Sequence, residues 1–176
     1  SGKLVIGGTG TDTGGVYNVA TGAKLAFGAS HTINSNIAAS GTGEVVFGDG
    51  GAGMVIGVAG GYNVASAGAT RTSYTVLSGL GEVNFTGALT NIGGTFDHQG
   101  QVAVDFTGAS GEASAFANLT SMTLNAQRTL TLKSGTLLPS LTSLVKTSSG
   151  TADLADASVS GLTTFTLSSG TLTGTG

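Results

Sequence analysis

Leu25-Ala26-Phe27 is followed twenty residues later by Val45-Val46-Phe47, two apolar residues around a third in each case. The same arrangement recurs at Leu4-Val5-Ile6, Tyr62-Asn63-Val64, Val83-Asn84-Phe85, Val104-Asp105-Phe106, Met122-Thr123-Leu124 and Phe165-Thr166-Leu167. Leu144-Val145-Lys146 fills the remaining gap, with a lysine where an apolar residue belongs. Alternation of period two marks a strand with one buried face. A fixed spacing over the whole chain marks a stacked repeat.

Counted on the middle residues, these triplets predict about nine turns of roughly 20 residues each. Longer matches support the stacking. Leu119-Thr120-Ser121-Met122, Leu141-Thr142-Ser143-Leu144 and Leu162-Thr163-Thr164-Phe165 follow one another at 22 and 21 residues. Gly41-Thr42-Gly43-Glu44-Val45-Val46-Phe47-Gly48 resembles Gly79-Leu80-Gly81-Glu82-Val83-Asn84-Phe85-Thr86, two turns later by this count. Gly15-Val16-Tyr17-Asn18-Val19-Ala20 echoes Gly61-Tyr62-Asn63-Val64-Ala65, but out of phase with the triplets.

A repeat this short cannot bury its own apolar side and must stack on its neighbours. The expected fold is therefore all-β, a parallel β-helix over residues 1–176 as a single domain, and a rod of roughly 40 Å at ~4.8 Å per turn. Phe27, Phe47, Phe85 and Phe106 are expected to form an inward ladder. Met54-Val55-Ile56, Tyr74-Thr75-Val76 and Leu130-Thr131-Leu132 fit second and third faces of each turn, with Gly-rich corners between them. An antiparallel β-sandwich is the alternative, since Gly is frequent enough for hairpin turns. Composition shifts near residue 118 from Gly, Val and Phe towards Leu, Thr and Ser, while the period persists.

The chain holds 32 Gly, one Pro and no Cys, with only 9% charged residues and a net charge of -3. Such a glycine content often means disorder, but Leu, Ile, Val and Phe at about 24% exceed the rough 20% limit for disordered chains. The six basic residues are scattered, so no stripe exists to neutralise phosphates, and neither nucleic acid nor membrane insertion is expected. Absence of cysteine excludes disulfides and thiolate metal sites. The start at Ser1-Gly2-Lys3 reads as a processed product or excised segment.

Several local patterns contain residues of chemical interest. Gly7-Gly8-Thr9-Gly10-Thr11-Asp12 matches the opening of a calcium-binding nonapeptide, yet Gly14 stands where that repeat needs a large apolar residue and no second copy follows. Asp12 is thus expected at a glycine corner. The two histidines are His31 and His98. Asp97-His98-Gln99 is the densest polar group; an extended strand would send Asp97 and His98 to opposite faces, and a solvated loop is the expected setting there. Asp49, Asp97, Asp105 and Glu112 are the carboxylates from which a polysaccharide-cleaving groove would have to be assembled, though no spacing brings them together. Val5, Ala26, Val46, Asn63, Asn84, Asp105, Thr123, Val145 and Thr166 are expected to form the outward column. Thr129-Leu130-Thr131 and Thr171-Leu172-Thr173 fit the Thr-x-Thr pattern of an ice-binding face locally, whereas that column is mixed. The sequons at Asn84 and Asn118 occur at chance frequency. No catalytic, cofactor-binding or metal-binding residue is assigned.

Gly41-Thr42-Gly43-Glu44-Val45-Val46-Phe47-Gly48 and Ser169-Gly170-Thr171-Leu172-Thr173-Gly174-Thr175-Gly176 resemble the repeats of bacterial autotransporter passengers and filamentous haemagglutinin-like adhesins. The resemblance is compositional and transfers no signature residue. It implies export to the cell surface and a non-catalytic role in adhesion, matrix or filament structure. Surface carbohydrate or another cell is the implied partner. The alternatives are a polysaccharide-acting β-helix enzyme and an ice-binding solenoid. Neither end carries an amphipathic cap, so the rod is expected to continue or its copies to stack end to end.

Overall fold

The computed structural model describes residues 2–48, 53–72 and 81–174. The chain coils into a β-solenoid of about seven turns. Every strand pairing among the described residues is parallel, which excludes the antiparallel sandwich.

Three faces run along the rod. The first is an eight-stranded sheet of Lys3–Ile6, Lys24–Phe27, Glu44–Phe47, Ala69–Thr72, Thr95–Gly100, Ser121–Ala126, Ser143–Lys146 and Thr164–Leu167. The second, also eight-stranded, runs from Gly10–Thr11 through His31–Ile33, Val55–Val58, Gly81–Phe85, Val102–Asp105, Leu130–Thr131 and Thr151–Asp153 to Thr171–Thr173. The third has four strands, Val16–Val19, Asn36–Ala39, Tyr62–Val64 and Leu89–Ile92. Beyond it the short helix Glu112–Ala115 and the strand pair Leu137–Leu138 and Ser158–Val159 close that side. The change of covering coincides with the compositional shift near residue 118.

The turns are not of one size. On the first face the inward residues Leu4, Leu25, Val45, Thr70, Phe96, Met122, Leu144 and Phe165 lie in register. Turns of 20 to 22 residues at both ends flank central turns of 25 and 26 residues. A count at constant spacing therefore slips from face to face, and the nine expected turns become about seven. Tyr62-Asn63-Val64 belongs to the third face, and Val83-Asn84-Phe85 and Val104-Asp105-Phe106 to the second. The true first-face members there are Thr70-Arg71-Thr72 and Phe96-Asp97-His98, whose polar inward residues hide them from an apolar marker.

Register also re-sorts the longer repeats. Glu44–Phe47 and Gly81–Phe85 lie on different faces, so their likeness is not a stacked one. Tyr17 and Val19 share columns with Tyr62 and Val64 through Ile37 and Ala39, so the echo that fell out of phase is a true repeat of the third face. Val55–Val58 and Leu130–Thr131 lie on the second face as expected; Tyr74-Thr75-Val76 lies outside the described residues.

The core is an aromatic column. Phe27 stacks on Phe47 at 5.8 Å, Phe47 meets Phe85 edge-on at 5.6 Å, and Phe85 stacks on Phe106 at 4.5 Å. All four rings are buried, and Phe116 extends the series edge-on at 5.2 Å from Phe106. Each such pair adds about 0.5–1.5 kcal/mol beyond burial of its area. Polar groups that enter the core are partnered there. Tyr62 donates its hydroxyl to Thr70 Oγ1 at 2.8 Å, and Thr70 donates in turn to the Ile92 carbonyl at 2.7 Å.

Corners explain two further sequence features. The three Leu-Thr repeats place Thr120, Thr142 and Thr163 one above another. Thr120 donates its hydroxyl to the Gly94 carbonyl at 2.9 Å, Thr142 to the Thr120 carbonyl at 3.0 Å, and Thr163 to the Thr142 carbonyl at 3.0 Å. Glycine is required where successive corners touch: a Cβ on Gly60 would lie 2.0 Å from the Ser35 carbonyl oxygen, and one on Gly87 2.1 Å from that of Gly60.

Candidate functional site

Asp97, His98 and Gln99 lie in the strand Thr95–Gly100 rather than in a solvated loop. Alternation sends Asp97 outward and His98 inward, so the two do not form a dyad. His98 is buried between Thr72 and Leu124 in its column, with Nε2 2.5 Å from the Val102 carbonyl oxygen. Burial pushes its imidazole down to about 4, against the opposing pull of the Val102 carbonyl. The neutral ring thus donates Nε2–H to that carbonyl and is 2% exposed. Two rungs further along the same column Lys146 is also buried, its Nζ donating to the Ser148 carbonyl. Desolvation lowers the Lys146 ammonium below its ordinary range.

Asp97 ends a charged series on the outside of the first face. Lys24 Nζ lies 2.9 Å from Glu44 Oε2, Arg71 Nε 3.5 Å from Glu44 Oε1, and Arg71 Nη1 2.7 Å from Asp97 Oδ2. Gln99 Nε2 donates to the same Asp97 oxygen at 2.7 Å. Charge alternates from rung to rung, and each carboxylate is held by a cation instead of facing another carboxylate across a cleft. Asp97 Oδ1 is buried with no hydrogen-bond partner.

The expected outward column does not exist as drawn. Its first-face members continue as Val46, Arg71, Asp97 and Thr123. Asn63 stands on the third face, and Asn84 and Asp105 on the second. Ala26 and Val46, expected to face solvent, are 0% and 2% exposed.

The remaining carboxylates are committed locally. Asp105 accepts from the Thr107 N–H at 2.8 Å on the second face, whereas Glu112 is buried on its helix and pairs with Lys133 Nζ at 2.9 Å. Asp97, Asp105 and Glu112 therefore do not converge, and Asp49 lies outside the described residues. Among the described residues no three His, Cys, Asp or Glu side chains gather where a metal ion would sit.

Asp12 works as a corner staple between the first two turns. Its Oδ1 accepts from the N–H groups of Asn34 and Ser35, each at 2.7 Å, and its Oδ2 from the Tyr17 hydroxyl at 3.1 Å. Partial burial would raise its carboxyl, but the bonds from Ser35, Asn34 and Tyr17 outweigh it and hold the group below its ordinary value. Asp156 repeats the device, accepting from Gly135 N–H at 2.5 Å and Ser134 Oγ at 2.9 Å. His31 stands in the inward column of the second face, with its ring 5.9 Å from that of Phe27. Both of its ring nitrogens are buried without hydrogen-bond partners.

Two surfaces were only half visible in the sequence. Thr129-Leu130-Thr131 and Thr171-Leu172-Thr173 lie on the second face with Thr151-Ala152-Asp153 between them in register. Their inward residues Leu130, Ala152 and Leu172 establish that the threonines point outward. At the two ends, Leu4 and Val5 on one side and Phe165 and Leu167 on the other are about half exposed. A concavity of about 470 Å³ opens beside the first turn, lined in part by Leu4, Val16, Tyr17 and Leu25.

The chain matches no protein-family model, no curated protein and no solved structure.

Proposed function

We propose that this chain is a structural or adhesive β-solenoid element of the cell surface or extracellular space, with no catalytic role. One observation carries the proposal: a charged series, two carboxylate staples and a threonine ladder join one turn to the next. Lys24, Glu44, Arg71 and Asp97 link four successive turns, Asp12 and Asp156 staple corners, and Thr120, Thr142 and Thr163 tie a third corner. A glycoside hydrolase of the two-carboxylate kind needs an acid and a second carboxylate facing one bond, and Asp97, Asp105 and Glu112 stand apart. The compositional resemblance to surface adhesins supports export and contact with surface carbohydrate or another cell.

The outermost turns support a role in a longer stack. Their inward residues Leu4, Phe165 and Leu167 alternate correctly for a further parallel rung, from the same rod or a second copy, to cover them. A tandem fusion of two copies tests this. A rod of doubled length in negative-stain images, unfolding in one transition, is the expected result. Two independent particles on a flexible tether would overturn the stacking role.

A further inference from the structure

The outward surface of the second face along its last three rungs has no task in holding the rod together. Its two columns read Thr129, Thr151, Thr171 and Thr131, Asp153, Thr173. Thr129 extends the strand Leu130–Thr131, its carbonyl accepting from Val104 N–H at 2.9 Å. Among the described residues, the hydroxyls of Thr129, Thr131, Thr151 and Thr171 have no protein hydrogen-bond partner. That separates them from Thr70, Thr120, Thr142 and Thr163, whose hydroxyls all donate within the rod. Thr173 makes only a long contact to the Ala152 carbonyl at 3.5 Å.

Position as well as chemistry is regular. Parallel stacking fixes neighbours at ~4.8 Å across rungs and roughly 7 Å along each strand. The second column continues back through Asp105, Asn84, Gly57, Thr32 and Thr11, all short side chains or none, whereas the first passes through Ala103 to Glu82 and Val55, so the flat part of the face is confined to its last rungs. Asp153 preserves an oxygen at its place in the array, with Oδ1 accepting from Ala155 N–H at 2.9 Å. No basic residue stands in either column, and no aromatic ring is available there to stack on a sugar. The last three rungs offer a rigid net of five threonine hydroxyls and one carboxylate, interspersed with methyl groups, whose donors and acceptors are complementary to an ordered lattice of the same kind.

We infer that the face formed by Thr129, Thr131, Thr151, Thr171 and Thr173 binds ice, the ligand being a crystalline array of water. Water bridging the hydroxyls is ordered by the rod before contact, so little freedom is lost when the crystal plane meets it. The inference is independent of whether rods stack end to end.

Growth of single ice crystals in the presence of the purified chain tests it, with recrystallisation inhibition as the quantitative readout. Faceted crystals and inhibition are expected of the unmodified protein. Thr151→Tyr and Thr171→Tyr, which place a bulky ring on the plane, should each raise the concentration needed for inhibition by about tenfold or more. Ser143→Tyr on the first face should leave it unchanged. Circular dichroism confirms that each variant keeps its β signal, and Thr171→Tyr, at an exposed position, serves if Thr151→Tyr does not fold. Round, unshaped crystals with the unmodified chain, or equal activity in the folded Tyr variants, would overturn the proposal. So would capture by insoluble cellulose or chitin, lost in the same variants, without any effect on ice.

Discussion

Arg71 Nη1 lies 2.7 Å from Asp97 Oδ2, one rung away in the same outward column, while the other oxygen of Asp97 is buried and unpartnered. Among the described residues, the guanidinium is the one cation paired with this carboxylate, which is largely out of water. Arg71→Ala should therefore cost about 2 kcal/mol, since removing one partner strands the other, discounted because Arg71 itself is one-third exposed. That corresponds to a fall of roughly 5 °C in Tm for a chain of this size. Arg71→Ala combined with Asp97→Ala should recover part of the loss. Additive losses in thermal melts would contradict this.

His98 makes stability depend on acid. Its folded-state value of about 4 lies below the ordinary 6.5. Between those values the unfolded chain takes up a proton that the folded chain refuses, so stability is full above pH 6.5 and falls as pH drops towards 4. The span corresponds to about 3 kcal/mol. Urea unfolding at pH 7, 5.5 and 4.5 should show that decline, and His98→Leu should flatten it. An unchanged slope in the variant would contradict it.

The corner threonines give a smaller, local effect. Thr142→Val removes the donor to the Thr120 carbonyl but keeps the shape, and should cost about 1 kcal/mol. Thr142→Ser keeps the hydroxyl and should lose less. Urea midpoints order the three proteins, and equal midpoints for Val and Ser would contradict the role given to the hydroxyl.

Phe85 touches Phe47, Tyr62 and Phe106 at the middle of the rod. Phe85→Ala opens a cavity that the surrounding stack cannot fill and should cost about 3–5 kcal/mol. Phe165→Ala, on a half-exposed end rung, should cost far less. Guanidinium unfolding of the two variants measures the difference.

The sequence made the solenoid legible because apolar inward residues repeat wherever a rung is built from Leu, Val and Phe. It made the turn count illegible because Thr70, Thr72 and His98 occupy inward positions in the long central turns. Thr70 and Thr72 find their partners at Ile92 and Gln99, which only the folded stack brings close, and His98 finds its own at Val102, four residues on, once the chain has turned back. The charged series was hidden for a related reason: Lys24, Glu44, Arg71 and Asp97 are spaced unevenly and meet only through register. The last three rungs of the second face were seen at Thr129 and Thr171 but not at Thr151. A face follows pairing between strands, and Thr151-Ala152-Asp153 carries no alternating apolar signal of its own.

On the reading proposed above, the rod is a structural or adhesive element that does not transform the surface it meets. Incubation of the labelled chain with intact bacterial cells and with their isolated surface polysaccharide, followed by assay of retention and of newly released reducing ends, tests it most directly. Saturable retention with no release above background is the result expected. Time-dependent release of reducing ends, abolished by Asp97→Asn or Asp105→Asn, would contradict it.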